Sequence, residues 1–224
     1  MIKLFENRHL GQRAVIVCNG PSLNQMDLSF LKNEICFGLN KIYLGFKKFH
    51  FYPKYYVAVN QKVLKQSANE IKALSSVKFL SNRCGDLFQQ NALTHIIDTS
   101  NPQTHFCEDI TNGLEEGYTV TYAALQIAFY LGFQNVVIIG MDHRFEYSGK
   151  PNQSKFLKGP DNNHFCASYF SNENWDNPDL VNSEVSYKVA RNIYEQSGRT
   201  IIDATVNGAC DVFDKQDYRS VFQL

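Results

Sequence analysis

No CxxC pair occurs in this 224-residue chain, although it holds six cysteines. They stand at 18, 36, 84, 107, 166 and 210, spacings that fit neither a zinc ribbon nor a disulfide framework, so buried free thiols are expected. The six histidines are equally scattered and form no HExxH, and no structural metal is expected. Charge of one sign is missing as well: Lys+Arg and Asp+Glu both number 22. A zero net charge argues against nucleic acid or an anionic membrane as an electrostatic partner. No apolar run reaches the roughly 18 residues that span a bilayer. The opening MIKLFENRHLGQR lacks the apolar core of a secretory signal, so a cytoplasmic location is expected. Peripheral membrane contact and a homo-oligomer stay open. Three nucleotide and acyl-transfer fingerprints are also absent. There is no GxxxxGK[ST], no GxGxxG after the first apolar run, and no GxSxG.

What is present centres on residues 14–23, AVIVCNGPSL. Val15, Ile16 and Val17 favour a strand buried on both faces, hence a parallel sheet. Gly20 permits a sharp turn and the close approach of a ligand, Pro21 presets φ for a helical first turn, and Ser22 can cap amide donors. The carboxyl end of a strand in an open α/β sheet is where nucleotides and phosphates bind, although the same residues serve a plain strand-to-helix connection.

The length suits a single domain over residues 1–224 with a substantial core. Further strands are expected at 35–40, 56–60, 77–80, 96–98, 136–140 and 200–202. Helices are expected at 26–31, 62–74, 119–131 and 183–196, the last with Val185, Val189, Ile193 and Tyr194 on or near one face, and a terminal polar helix or arm at 214–222. This predicts an α/β fold, Rossmann-like, with a mostly parallel sheet and helices on both faces. Residues 99–113 read as a surface loop over the site. Residues 146–180, rich in Asn, Ser, Gly, Pro and aromatics and holding Trp175, read as a loop-rich lid.

Three of the strands end in asparagine: Asn19, Asn40 and Asn60. On parallel strands all three amides emerge at one sheet edge, where each offers a donor and an acceptor to a base, ribose or phosphate. Asparagine also simply favours strand-ending turns. Thr119 and Thr121 open the 119–131 helix and can cap it or point hydroxyls at a ligand. Asp142 follows a buried strand directly, as a ligand-binding carboxylate or a turn former. Arg144 could offset developing phosphate charge. His164, with an unperturbed pKa of about 6.5, could accept a proton from an acceptor hydroxyl or stand idle in its loop.

NGPSL after the first strand, a buried helix running into LGF, and a strand ending in GMD resemble the MptE-like domain family, itself related to the bacterial sialyltransferases of glycosyltransferase family 42. DNNHF at 161–165 is similar to the segment that carries the sialyltransferase catalytic histidine. The resemblance implies a metal-independent, inverting glycosyltransferase of surface glycan or polysaccharide synthesis, without cofactor. Its substrates would be a nucleotide-sugar donor, CMP-linked and acidic, and a glycan acceptor. Asn19, Asn40 and Asn60 would contact nucleotide and donor, Asp142 the ribose or base region, and His164 would be the general base. The chain departs from that pattern twice. Val120-Thr121, preceded by Thr119, stands for a Ser-Gly entry, and Arg144, with Tyr147 close by, replaces a phosphate-assisting tyrosine. The MptE-like name also implies a rival, an ATP- and Mg²⁺-dependent pyrophosphokinase with Asp142 and Asp161 as candidate carboxylates, though no DxD is present. A third reading is a non-catalytic nucleotide-binding accessory module.

Overall fold

The computed structural model describes residues 2–100 and 105–224. Eight strands form one sheet, all parallel, and its central strands are buried on both faces, as parallel strands are. In chain order they are β1 (Arg13–Val17), β2 (Cys36–Leu39), β3 (Tyr55–Ala58), β4 (Val77–Ser81), β5 (Thr94–Ile97), β6 (Asn135–Ile139), then β9 (Thr200–Asp203) and β10 (Asp214–Lys215). Between β6 and β9 lie β7 (Ser154–Leu157) and β8 (Glu173–Asp176), an antiparallel pair outside the main sheet. The sheet order is β10-β9-β6-β1-β2-β3-β4-β5. Strand order therefore reverses between β1 and β6, the position at which open α/β sheets present a crevice.

The helices are α1 (Phe46–Phe49), α2 (Gln61–Gln66), α3 (Ala68–Ala73), α4 (Val120–Tyr130), α5 (Leu180–Gln196) and α6 (Tyr218–Phe222). Alternate residues of β1 feed two cores. Ala14 and Ile16 pack with α4 and with Tyr187, Ala190 and Tyr194 of α5; Val15 and Val17 pack with α2, α3 and the aromatic residues of 165–175. The α/β class and the helices on both faces are as expected.

Several local expectations are corrected. No α-helix follows NGPSL; 3-10 turns at Pro21–Gln25 and Ser29–Asn33 take its place. The 62–74 helix breaks at Ser67 into α2 and α3. Helix α5 begins at Leu180 because Asp179 caps it, accepting from the Asn182 amide at 3.1 Å. Its buried stripe is Ser183, Tyr187, Ala190 and Tyr194, which leaves Val185 exposed. The terminal segment opens as strand β10 before it turns helical. Residues 101–104 of the loop expected over the site lie outside the described residues. Its remainder packs elsewhere, with Phe106 meeting Tyr122, Phe129 and Tyr194 edge-on. None of the six cysteines forms a disulfide among the described residues; five are buried and Cys166 is half-buried.

Candidate functional site

A cavity of about 700 Å³ opens at the carboxyl ends of β1, β2, β3 and β6, a volume that suits a nucleotide-sized ligand. Asn19, Gly20, Asn40, Asn60, Thr119, Thr121, Asp142 and His164 all line it. The three asparagines do different work. Asn19 donates through Nδ2 to the Leu39 carbonyl at 3.1 Å, which fixes its amide and turns Oδ1 away. That oxygen is buried without a partner, and so is Oδ1 of Asn40, whose backbone is left-handed at φ 47°. Asn60 instead caps α2, accepting from the Lys62 amide at 2.8 Å, so its oxygen is spoken for. Thr119 caps α4, and Thr121 faces Cys18 at 3.4 Å.

The NGPS turn and the GMD turn are joined. The Gly20 amide donates to the Gly140 carbonyl at 2.8 Å, and the Asp142 carboxylate accepts from both the amide (2.9 Å) and the hydroxyl of Ser22. A Cβ on Gly20 would overlap that carboxylate and lie 2.7 Å from the Gly140 carbonyl oxygen, so the glycine is there for space. Ser22 is buried beneath the corner and does not line the cavity. Arg144 and Tyr147 are exposed and do not line it either.

Of residues 146–180, Asn152, Asn163, His164, Tyr169, Phe170 and 175–180 line the cavity. The DNNHF segment is pinned to the opening turn, since the Phe165 amide donates to the Asn19 carbonyl and the Asn24 side chain donates to the Phe165 carbonyl, both at 2.9 Å. Next to this anchor, His164 Nδ1 lies 2.8 Å from Asp161 Oδ2, and the ring stacks on Tyr169 at 3.9 Å between centroids. Asp161 also accepts from the amides of Asn163 (2.8 Å) and Phe170 (3.2 Å). Burial pushes its carboxyl up, but His164 and the two amides outweigh burial and hold it below the usual carboxylate range. An ionised Asp161 can only accept, so the imidazole proton sits on Nδ1. Nε2 makes no hydrogen bond within the described residues.

The β7–β8 hairpin meets the cavity through Trp175 and Asp176 of β8. Lys62 bonds Asp176 and also donates to Ser154 at 2.7 Å, while the Gln66 side chain donates to the Asn174 carbonyl at 2.9 Å. Lys41, almost fully buried, pairs with Glu173 and lies 5.0 Å from the Phe170 ring centroid. Arg83 pairs with Glu116 at 3.2 Å on another wall. His143, left-handed at φ 54°, places Nε2 3.0 Å from Glu184. None of Asp176, Arg83, Glu116 or His143 stands out in the sequence. Lys62 alone carried a signal, its place two residues beyond a strand-ending asparagine.

No curated protein matches the sequence. Among solved structures, the MAf glycosyltransferase from Magnetospirillum magneticum AMB-1 superposes with a TM-score of 0.60 at 14% identity. The match covers 95% of this chain and 34% of that one, so this chain spans about a third of the length of that protein. At that identity the likeness shows a shared fold. Residues 1–148, which include both turns that build the corner, match the family described as 6-hydroxymethylpterin diphosphokinase MptE-like. The chain belongs to this MptE-like family.

Proposed function

We propose that the chain is a glycosyltransferase that binds a nucleotide-activated sugar in the strand-end cavity and passes the sugar to a hydroxyl of a glycan acceptor. A CMP-linked acidic sugar is the donor this reading favours. The Asp161–His164 pair carries it. A buried carboxylate that holds the Nδ1 proton leaves Nε2 as a base beside the cavity, and in-line attack inverts the anomeric centre. The acceptor oxygen bonds the anomeric carbon, the carbon–oxygen bond to the nucleotide phosphate breaks, and the electron pair leaves with the nucleotide. The acceptor proton passes to Nε2. The fold shared with a glycosyltransferase supports the same class.

The family description supports a second reading, transfer of diphosphate from ATP with Mg²⁺. Its two candidate carboxylates do not fit that ion. Asp142 is engaged by Ser22, and Asp161, which does not line the cavity, is engaged by His164 and by the amides of Asn163 and Phe170. Among the described residues no three His, Cys, Asp or Glu gather as a metal site. A third reading, a nucleotide-binding module without chemistry, makes His164 dispensable.

Thermal shift with CMP, CDP, UDP, GDP and ATP, each with and without Mg²⁺, separates the three. Stabilisation by CMP without metal is expected; a response only to ATP with Mg²⁺ would replace the transferase by the diphosphokinase. Release of CMP from a CMP-activated acidic sugar should then fall about 100-fold or more in His164→Ala while CMP binding persists. Undiminished turnover in that variant removes the assigned base.

A further inference from the structure

Among the described residues the cavity is lined by five carboxylates, Glu115, Glu116, Asp142, Asp176 and Asp179, and by two full cations, Lys62 and Arg83. Both cations are already paired, Lys62 with Asp176 and Arg83 with Glu116. A phosphorylated ligand therefore meets no free cation on these walls, and a phosphoryl group can gain one only by taking it from a carboxylate.

The two pairs differ in what the theft would cost. Glu116 is buried enough that its carboxyl is pushed up despite Arg83, so stripping Arg83 away would strand a poorly solvated charge. Asp176 has about a third of its side chain exposed, as does Lys62, so water can take over from the lysine. Lys62 is also held at its base by the Asn60 cap and needs to move only its flexible stem. The hairpin would survive the exchange, because Lys41–Glu173 and Gln66–Asn174 tie it down independently.

We propose that Lys62 is the phosphate-binding cation of the cavity and that Asp176 occupies it as an internal competitor until a nucleotide phosphoryl group displaces the carboxylate. The inference rests on the reading of the cavity as a nucleotide site. It makes binding of the phosphoryl group and loosening of the β8 edge one event.

The two partners should then act with opposite sign. Titration of the full chain with CMP and with cytidine should show Lys62→Gln weakening CMP about tenfold, with Lys62→Arg close to wild type. Asp176→Asn should tighten CMP by about threefold or more, since the competing anion is gone. Cytidine, which lacks the phosphoryl group, should bind all of them alike. A folding defect cannot tighten binding, so the Asp176→Asn result stands even if Lys62→Gln proves unstable. Weaker CMP binding in both variants, or equal effects on cytidine, overturns the exchange and leaves the pair as a lid latch, with the nucleotide site intact. If the wild type binds no nucleotide of the panel above, with or without Mg²⁺, the reading of the cavity itself falls.

Discussion

Gly20→Ala tests the corner on which the cavity is built. Gly20 has φ −71° and ψ 157°, ordinary extended backbone, so alanine suffers no conformational strain there. The cost is spatial. The new methyl would overlap the Asp142 carboxylate and sit 2.7 Å from the Gly140 carbonyl oxygen. That carbonyl follows β6, which is hydrogen-bonded between β1 and β9 and has little freedom to retreat. Asp142 must therefore swing off Ser22 and forfeit the bonds from its amide and hydroxyl. Each hydrogen bond to a charged group is worth about 1.5–3 kcal/mol, and Ser22 would be left buried and unpaired. A loss of about 3–5 kcal/mol follows once residual overpacking is included. Urea denaturation should show a midpoint lower by about 1 M or more, and thermal shift should show the nucleotide response lost. Gly11→Ala is the control, since Gly11 lies at φ 76° with nothing near its missing Cβ. It should cost only about 1 kcal/mol of backbone strain and leave binding unchanged. If Gly20→Ala stays within about 1 kcal/mol of wild type and still binds nucleotide, the corner is not the rigid element described.

Asp203 is buried at the end of β9 with Oδ2 unpartnered, and burial pushes its carboxyl up despite the Thr205 bonds. A raised folded-state pKa means that ionisation opposes folding, a penalty that grows as pH rises above 3.8 through the folded value. Asp203→Asn should therefore stabilise the protein by about 1–2 kcal/mol at pH 7, with the gain fading near pH 4 in thermal melts. Thiol chemistry gives a stoichiometric check. Burial pushes Cys18 up to about 12 and Cys210 to about 11, and Cys36 and Cys84 are raised as well. One equivalent of an aromatic disulfide reagent should react quickly with native protein, at half-buried Cys166, and six after denaturation; rapid reaction of more than one native thiol would contradict the packing.

Residues 14–17 and 136–139 announced buried parallel strands because their apolar runs are continuous, and the structure pairs them directly. The strand-ending asparagines could be read as converging on one edge, because parallel strands share a polarity. What each amide does there could not be read. Asn60 became a cap while Asn19 and Asn40 kept free oxygens, and that difference depends on whether a helix follows at once. The failures lie where long-range contacts override local pattern. Val185 fits an apolar helical period, yet the stripe that meets α4 passes through Ser183, Tyr187 and Ala190. Arg144 stands two residues after Asp142 and still turns outward, because His143 takes a left-handed backbone between them. Lys62 and Asp176 lie 114 residues apart, and no periodicity relates them.

The join between Ser22 and Asp142 has a consequence for how the chain reaches its native state. Strands β1 to β5 are neighbours in the sheet in the order they are made, so that part can assemble through short connections. The corner cannot. Ser22 and Asp142 are 120 residues apart, and closing a loop of that length costs roughly 4 kcal/mol of chain entropy before any contact forms. Insertion of β6 beside β1 brings them together, which makes it a late and slow event by topology. During synthesis the sheet edge from β2 to β5 would exist well before any ligand pocket does, and ligand capture would report that β6 has docked.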